Sequence, residues 1–285
     1  MTSTVAIVTD SACDLPLNIA EKHAIGVVPL TIRFDDEEFV DRIELNSKDF
    51  WRRSEASSIL PSTAAPSPGA FEQAFRQARA AGAASVVCIC ISSALSATFQ
   101  AAVAGAKNVV DDIDVRVIDS KQCTVGQGLL CIEAAKSASE GASVEDVLAL
   151  VEDLKSRLGL LGTLDTLDNL RKGGRIGAAG AFFGSLLSVK PLIEIKDGSV
   201  NALSKQRTRS RAMEHLTRLV RDQAPLDLVA VAHAQAPDID RFLQLLSPVA
   251  PVDSLLVTDI GPVIGTHGGL RTVAVAYVKS KDVSS

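Results

Sequence analysis

A histidine lies among glycines near the end of the sequence, in the segment GPVIGTHGG (Gly261–Gly269). An imidazole both donates and accepts hydrogen bonds near neutral pH, so His267 is either an ordinary turn residue or a polar group aimed at a bound ligand. The glycines predict a sharp turn that lets the imidazole reach outward. This segment alone does not separate the two interpretations.

Several loops are rich in hydroxyl side chains: TDSACDLP (Thr9–Pro16), STAAPSP (Ser62–Pro68) and ISSALSATFQ (Ile91–Gln100). The first and last follow predicted strands, and ligands of open α/β sheets bind beyond the carboxyl ends of strands. A hydroxyl-rich loop at a helix N-terminus offers donors and a positive dipole end to an anion. Ser92, Ser93 and Ser96 suit that role, or they only cap the helix that follows. Together with His267 they favour a small anion site.

Charged residues near these loops leave alternatives open. Asp10 and Asp14 are either acid/base or phosphate-side groups, or ties of the turn and caps of the following helix. Arg171, Lys172 and Arg175 are either functional cations or a solvated helix end, where basic residues are expected.

The motifs of common enzyme classes are missing from the sequence. It has no GxxxxGK[ST] phosphate loop, no GxSxG nucleophile elbow and no HExxH pair. The glycines of GGRIGAAGAFFG (Gly173–Gly184) follow no predicted strand directly, which disfavours a dinucleotide site. The five cysteines form no CxxC pair, so we expect neither a metal site nor a disulfide framework.

Composition narrows the class of protein. A chain of 285 residues with 47% hydrophobic and 22% charged residues is long enough for two well-packed domains. The net charge of −5 argues against a nucleic-acid surface. We identify no signal peptide and no membrane span, and expect a cytoplasmic protein, for which transient contact with a membrane stays open.

The first half alternates β-branched runs with amphipathic segments. We predict strands at Val5–Thr9, Val27–Phe34, Ser85–Ile91 and Val115–Asp119, and helices at Pro16–His23, Pro68–Ala81, Leu95–Asn108 and Val125–Glu140. This order predicts a mostly parallel sheet with helices on both faces. Ser143-Val-Glu-Asp146 is typical of a capping box, opening a helix that ends near Arg157.

The second half has a different order of elements. We predict a strand at Leu158–Leu164, a glycine-rich helical stretch at Asp165–Leu187, a hairpin turning at Lys196-Asp-Gly198, helices at Ser210–Asp222 and Asp238–Ser247, and strands at Leu226–His233, Ser254–Asp259 and Thr272–Val278. The fold class is therefore a two-domain α/β protein. We expect a mostly parallel N-terminal domain at residues 1–157 and a C-terminal domain with a mixed or antiparallel sheet at residues 158–285.

The chain resembles the DegV family of bacterial fatty-acid-binding proteins along nearly its whole length. The resemblance rests on VAIVTDSACDLP at the start, STAAPSPGAF (Ser62–Phe71), ISSALSATFQAA (Ile91–Ala102), VIDSKQCTVGQGLL (Val117–Leu130), the stretch from Leu164 to Gly198, and GPVIGTHGG. So many ordered matches are far more specific than any one short motif.

This resemblance implies a buried tunnel that holds a long-chain fatty acid, with the carboxylate near the domain junction. By position, Thr63 and Ser93 match the hydroxyl residues that contact the carboxylate, and His267 faces them from the second domain. Arg171 is similar to a family arginine near the mouth, suited to an acyl phosphate or to the kinase. Such a protein uses no cofactor and is not the catalyst, because a separate fatty acid kinase phosphorylates the head group.

Some loops depart from the family pattern. Ala64 and Ala65 replace a serine and a glutamine, and Ala94 and Ala97 replace glycines, which matters if those positions need a positive φ. His267 is followed by Gly269-Leu270-Arg271 where the family usually has Gly-Pro-Gly. These changes affect the expected shape of the head-group site and the preferred length and saturation of the acyl chain.

The residues leave two other functions open. One is a stand-alone serine hydrolase that uses Ser93 and His267, although no residue is evident to orient the imidazole. The other is a regulatory module that only senses fatty acids and needs the same pocket.

Overall fold

The computed structural model describes residues 4–57, 59–182, 189–250 and 255–281. Its elements up to residue 157 are β1 (Val5–Asp10), α1 (Leu17–Lys22), β2 (Ile25–Val28), β3 (Thr31–Phe34), β4 (Glu37–Val40), α2 (Ser47–Ala56), β5 (Ser62–Ala64), α3 (Pro68–Ala80), β6 (Ser85–Cys90), α4 (Thr98–Lys107), β7 (Asp114–Asp119), α5 (Thr124–Ser139) and α6 (Val144–Arg157). From residue 158 on they are β8 (Leu158–Thr163), α7 (Asp168–Lys172), β9 (Lys190–Lys196), β10 (Ser199–Gln206), α8 (Arg209–Arg221), β11 (Leu226–His233), α9 (Ile239–Leu246), β12 (Leu256–Asp259), α10 (Pro262–Gly268) and β13 (Val273–Lys279). Short 3₁₀ helices cover Ser11–Cys13 and Gly177–Phe182.

The first sheet is parallel, with strand order β2-β1-β6-β7. Every residue of β6 is buried, because helices cover both faces of the sheet. On one face Phe71 and Phe75 of α3 pack against Val86 and Cys88. The other face packs against α5 and α6. The predicted parallel arrangement is confirmed, and so is the capping box of α6, in which Ser143 and Asp146 exchange hydrogen bonds.

The second sheet is mixed and has the strand order β10-β9-β8-β13-β11-β12. The predicted hairpin is present as the antiparallel pair β9 and β10. β13 lies between β8 and β11 and runs antiparallel to both. One face packs against α8 and α9, and the other presents small side chains, among them Ala230, Ala274 and Ala276, toward α5. Helix α5 is therefore buried between the two sheets, which explains its apolar residues on all sides.

The single strand predicted at Val27–Phe34 is wrong. The chain breaks after Val28 at Pro29, which has no N–H to donate to a ladder, and continues as β3 in a separate sheet of order β4-β3-β5. Helix α2 was not predicted either. Asn46 caps it by accepting a hydrogen bond from the N–H of Asp49.

The segment around His267 forms a helix rather than the predicted sharp turn. Pro262 occupies the first turn of α10, and Gly269, with a φ of 78°, follows its last residue. Of the predicted helical stretch Asp165–Leu187, the structure shows α7 and the second 3₁₀ helix, whereas residues 183–187 lie outside the described residues. Ser254, the predicted start of β12, also lies outside them.

All strands of the mixed sheet follow residue 157, and all strands of the other two sheets precede it. This distribution agrees with the expected division of the chain. The boundary itself stays a prediction.

Candidate functional site

An apolar pocket, called the tunnel below, lies between the mixed sheet and the loops of the first half. Its wall includes Leu160 of β8, Ile193 and Ile195 of β9, Ala274 of β13 and Val263 of α10. The cavity between these walls has a volume of about 100 Å³, and about 830 Å³ when the open space at its entrance is included. Mostly apolar pockets with a few polar groups bind small, mostly apolar ligands.

One end of the tunnel is polar. Thr63, Arg175 and His267 line it, and they also line a second, open cavity that contains Asn169 and Lys172. These side chains therefore form the wall between the tunnel and the protein surface. A ligand whose polar end lay here would have its apolar part in the tunnel and its head group at the boundary with water.

The polar end is held by specific contacts. The Thr63 hydroxyl lies 3.0 Å from Nε2 of His267. Arg175 donates from Nε to the Leu95 carbonyl at 3.1 Å and from Nη1 to the Gly173 carbonyl at 2.6 Å, which fixes its guanidinium at the tunnel wall. Hydroxyl, imidazole and guanidinium groups are hydrogen-bond donors that fit a carboxylate.

His267 is neutral at neutral pH. Burial lowers the pKa of its imidazole to about 4, and the charge of Arg175 acts in the same direction. Its Nδ1 atom is buried and has no hydrogen-bond partner among the described residues. The imidazole is therefore a neutral group held with Nε2 beside the Thr63 hydroxyl and Nδ1 against Gly173.

Two glycines allow close approach around His267. A Cβ atom on Gly173 would lie 2.4 Å from Nδ1 of His267, so any larger residue there would displace the imidazole. A Cβ atom on Gly265 would lie 2.7 Å from the Trp51 ring. Gly265 thus serves the packing of α10, whereas the sequence predicted that the glycines of Gly261–Gly269 provide a turn.

The start of α10 is anchored by the loop after β1. The Gly261 N–H donates to Oδ1 of Asp14 at 3.0 Å, and the Thr258 hydroxyl donates to the Asp14 carbonyl at 2.8 Å. Asp10 accepts from the N–H groups of Ala12 and Ile91. Neither carboxyl lines the tunnel, so the geometry favours the structural interpretation of both.

The structure brings together only part of the predicted site. Thr63 and His267 are in contact, but the Ser93 hydroxyl donates to Oδ2 of Asp119 at 2.5 Å, and Ser93 does not line the tunnel. Ser96 lines it instead, and its hydroxyl lies 2.8 Å from that of Thr98. Ser96 was among the hydroxyl residues predicted for an anion site, together with Ser92 and Ser93, and only the family resemblance singled out Ser93.

A similar shift applies to the predicted arginine. Arg171 is exposed near the C-terminal end of α7 and lines neither cavity, whereas Arg175 lines both. Gly174, with a φ of 71°, turns the chain between them and directs Arg175 back to the tunnel. Arg171, Lys172 and Arg175 were predicted together as candidate cations, and no local pattern distinguishes the one that lines the tunnel.

The alanines that replace glycines in the loop before α4 are not strained, because neither Ala94 nor Ala97 has a positive φ. In the turn that follows His267, Gly269 and Arg271 have positive φ angles of 78° and 62°. The residues that the structure covers contain no cluster of three or more side chains placed to hold a metal ion. In the same residues, no helix is long and apolar enough to cross a membrane.

The sequence and fold match known proteins over nearly their full length. A family model described as "Uncharacterised protein, DegV family" matches residues 4–280. A DegV domain-containing protein of Streptomyces coelicolor is 35% identical over 274 residues, which cover 94% of this chain and 96% of the relative.

Solved structures agree with this match. A DegV family protein from Thermus thermophilus, whose structure is described as showing fatty acid binding, has a TM-score of 0.88 and 30% identity, covering 96% of this chain and 99% of that one. A stearic-acid-binding protein from Eubacterium ventriosum has a TM-score of 0.88 and 28% identity, covering 96% and 98%. From its sequence and its fold alike, this chain belongs to the DegV family.

Proposed function

We propose that this protein binds a long-chain fatty acid in its tunnel and presents the carboxylate to a separate kinase for phosphorylation. The observation that carries the proposal is an apolar tunnel whose polar end holds Thr63, Arg175 and His267. The fatty acid binding described for the Thermus thermophilus and Eubacterium ventriosum proteins supports it.

The tunnel provides the affinity. Burial of about 15 methylene groups at roughly 0.8 kcal/mol each gives on the order of 12 kcal/mol of gross transfer free energy, before the costs of association. The polar end provides orientation, because a carboxylate that entered the apolar part would lose its hydrogen bonds to water. A fatty acid would therefore bind with its head group beside His267.

The mouth suits a charged product. Lys172 and Arg175 line the open cavity on the outer side of His267, and Arg171 is exposed nearby. Cationic groups stabilise an acyl phosphate better than the tunnel wall does. The chain has no GxxxxGK[ST] phosphate loop of its own, so we assign phosphoryl transfer to a partner kinase. We also propose that both proteins are cytoplasmic.

Native mass spectrometry tests the first half of the proposal. We expect a mass increment equal to a fatty acid that disappears after organic extraction and returns when palmitate or oleate is added. Protein that is always empty and takes up neither acid would refute it.

A phosphorylation assay tests the second half. With ATP and a fatty acid kinase subunit, we expect the loaded protein to support formation of acyl phosphate, and Lys172→Ala to reduce it. Lys107→Ala, at the end of α4, is the matched control. A sensor would bind the acid yet give no acyl phosphate.

The hydrolase alternative is not favoured by the geometry. Ser93 is hydrogen-bonded to Asp119, and His267 is paired with Thr63 rather than with Ser93. The hydrolase function would nevertheless be established if the unmodified protein hydrolysed an ester and both Ser93→Ala and His267→Ala had lost this activity.

A further inference from the structure

Each end of helix α10 receives a hydrogen-bonding contact from the first half of the chain. At the start of the helix, the Gly261 N–H donates to Oδ1 of Asp14 at 3.0 Å. Near its end, Nε2 of His267 lies 3.0 Å from the Thr63 hydroxyl. The head-group contact therefore belongs to a helix whose other end is held by Asp14.

Asp14 holds the approach to this helix with its backbone as well as its side chain. Its carbonyl accepts from the Thr258 hydroxyl at 2.8 Å, three residues before Gly261. Asp14 is 3% exposed and has a φ of 51°, a left-handed conformation that aspartate tolerates better than most residues do. The two contacts fix the segment that leads from β12 into α10.

The residue on the helix side is fitted to Asp14. A Cβ atom on Gly261 would lie 2.8 Å from Oδ1 of Asp14, so a larger residue there would push the carboxyl and the helix apart. Gly261 has a φ of −74°, which any residue can adopt. The close approach of Asp14, rather than the backbone conformation, is thus the reason for a glycine at this position.

A shift at the start of α10 would reach His267. The helix has only seven residues, and its hydrogen bonds run from end to end: the Gly265 N–H donates to the Gly261 carbonyl, and the Gly269 N–H to the Gly265 carbonyl, both at 2.8 Å. Such a short hydrogen-bonded helix moves as one body. A displacement of about 1 Å at His267 is enough to break its contact with Thr63.

We propose that Asp14 is a positioning residue of the head-group site, which holds α10 so that His267 and Thr63 meet the carboxylate of a bound fatty acid. Asp14 does not line the tunnel, so it acts through the helix and not on the ligand. The inference rests on the proposed binding of fatty acids.

A pair of ligands with the same hydrocarbon chain tests it. Dissociation constants for palmitate and 1-hexadecanol are measured by competition with a fluorescent fatty acid, and their ratio is the head-group selectivity. Because the chains match, the contribution of the apolar wall largely cancels in this ratio. We expect the unmodified protein to prefer palmitate by about 10-fold or more, and Asp14→Ala to lose most of that preference while it still binds 1-hexadecanol.

Three further variants separate positioning from a general loss of stability. Asp14→Asn keeps an oxygen that accepts from Gly261 and should retain the selectivity. Gly261→Ala disturbs the same contact from the helix side and should lower it. Phe75→Leu weakens a buried cluster that contains no residue of α10 and should leave the selectivity unchanged.

A double variant shows whether Asp14 acts through His267. In a His267→Ala background, Asp14→Ala should lower the selectivity no further, because coupled residues are not additive. The movement of α10 has its own signal, since Trp51 is the one tryptophan of the sequence and lies against Gly265. Its fluorescence emission should shift in ligand-free Asp14→Ala and remain unchanged in Asp14→Asn.

The outcomes are distinguishable. Equal weakening of palmitate and 1-hexadecanol in Asp14→Ala and in Gly261→Ala would overturn the inference and leave the proposed function standing. A further loss of selectivity in the double variant would have the same meaning. If Asp14→Ala does not fold, Gly261→Ala and Asp14→Asn decide. If the unmodified protein binds neither ligand, or binds both equally, the proposed function and this inference fail together.

Discussion

The Thr63 hydroxyl lies 3.0 Å from Nε2 of His267, across 204 positions of the sequence. Thr63 belongs to β5 of the three-stranded sheet β4-β3-β5. His267 belongs to α10, the helix that precedes β13. The polar end of the tunnel therefore exists only when these distant segments are packed together. Changes at their contacts should alter ligand binding before they alter the fold.

Replacement of Gly173 should disturb the head-group site. In Gly173→Ala the new methyl group would lie 2.4 Å from Nδ1 of His267, so the imidazole must leave its position beside Thr63. We expect fatty acid affinity to fall about 10-fold or more, since loss of a hydrogen bond to a charged group costs about 1.5–3 kcal/mol. Titration calorimetry with palmitate measures it. Gly69→Ala, where the methyl group meets nothing closer than 3.8 Å, should bind normally.

The two serines of the loop before α4 should differ. Ser96 lines the tunnel and Ser93 is bound to Asp119, so Ser96→Ala should weaken carboxylate binding by about 10-fold. Ser93→Ala should mainly lower the thermal unfolding temperature. The opposite ranking of affinities would restore Ser93 to the role that the family resemblance gave it.

Stability should depend on pH through Asp14. Burial raises its pKa from 3.8 to about 7, so between these values the folded protein binds more protons than the unfolded chain. The free energy of unfolding therefore falls as the pH rises through this window, by up to about 4 kcal/mol for this group. The free energy of unfolding, measured by urea denaturation, should decrease less between pH 5 and pH 8 in Asp14→Asn than in the unmodified protein. Asp10 and Asp41, whose pKa values burial raises to about 6, act in the same direction and remain in the variant.

An exposed carboxyl provides the control for that measurement. Hydrogen bonds from Ser143 lower the pKa of Asp146, so its contribution is present at high pH and is lost as the pH falls. Asp146→Asn should therefore lose more stability at pH 8 than at low pH, the reverse of Asp14→Asn. Equal pH dependence in both variants would contradict the assignment.

Filling the tunnel should change the chain length it accepts. Ala274→Leu adds bulk to the tunnel wall, whereas Val275→Leu adds a methylene to the opposite face of the same strand. Both variants should cost roughly 1–3 kcal/mol through overpacking. Only Ala274→Leu should shift the preference from stearate toward shorter acids in a competition assay. A shift of the same size in Val275→Leu would place the acyl chain elsewhere.

Sequence patterns predicted the elements whose signal is local. The buried run of β6, the capping box at Ser143 and the Asp-Gly turn before β10 each depend on neighbouring residues. Helix α10 was missed because its glycines have low helix propensity, and only the packing of Gly265 on Trp51 shows why they are there. The contact of Thr63 with His267 was implied by family resemblance. The entry of Arg175 and Ser96 into the site depends on loop geometry that no periodic pattern encodes.

The position of β13 has a consequence for the order in which the protein can become functional. β8 and β11 leave the ribosome before β13, and until residues 273–279 follow, a gap of about 10 Å separates their places in the sheet. Ala274, which closes part of the tunnel wall, belongs to that late strand. A nascent chain thus has no complete tunnel until β13 has been synthesised and inserted, so we expect any ligand of the tunnel to bind only after translation of this strand.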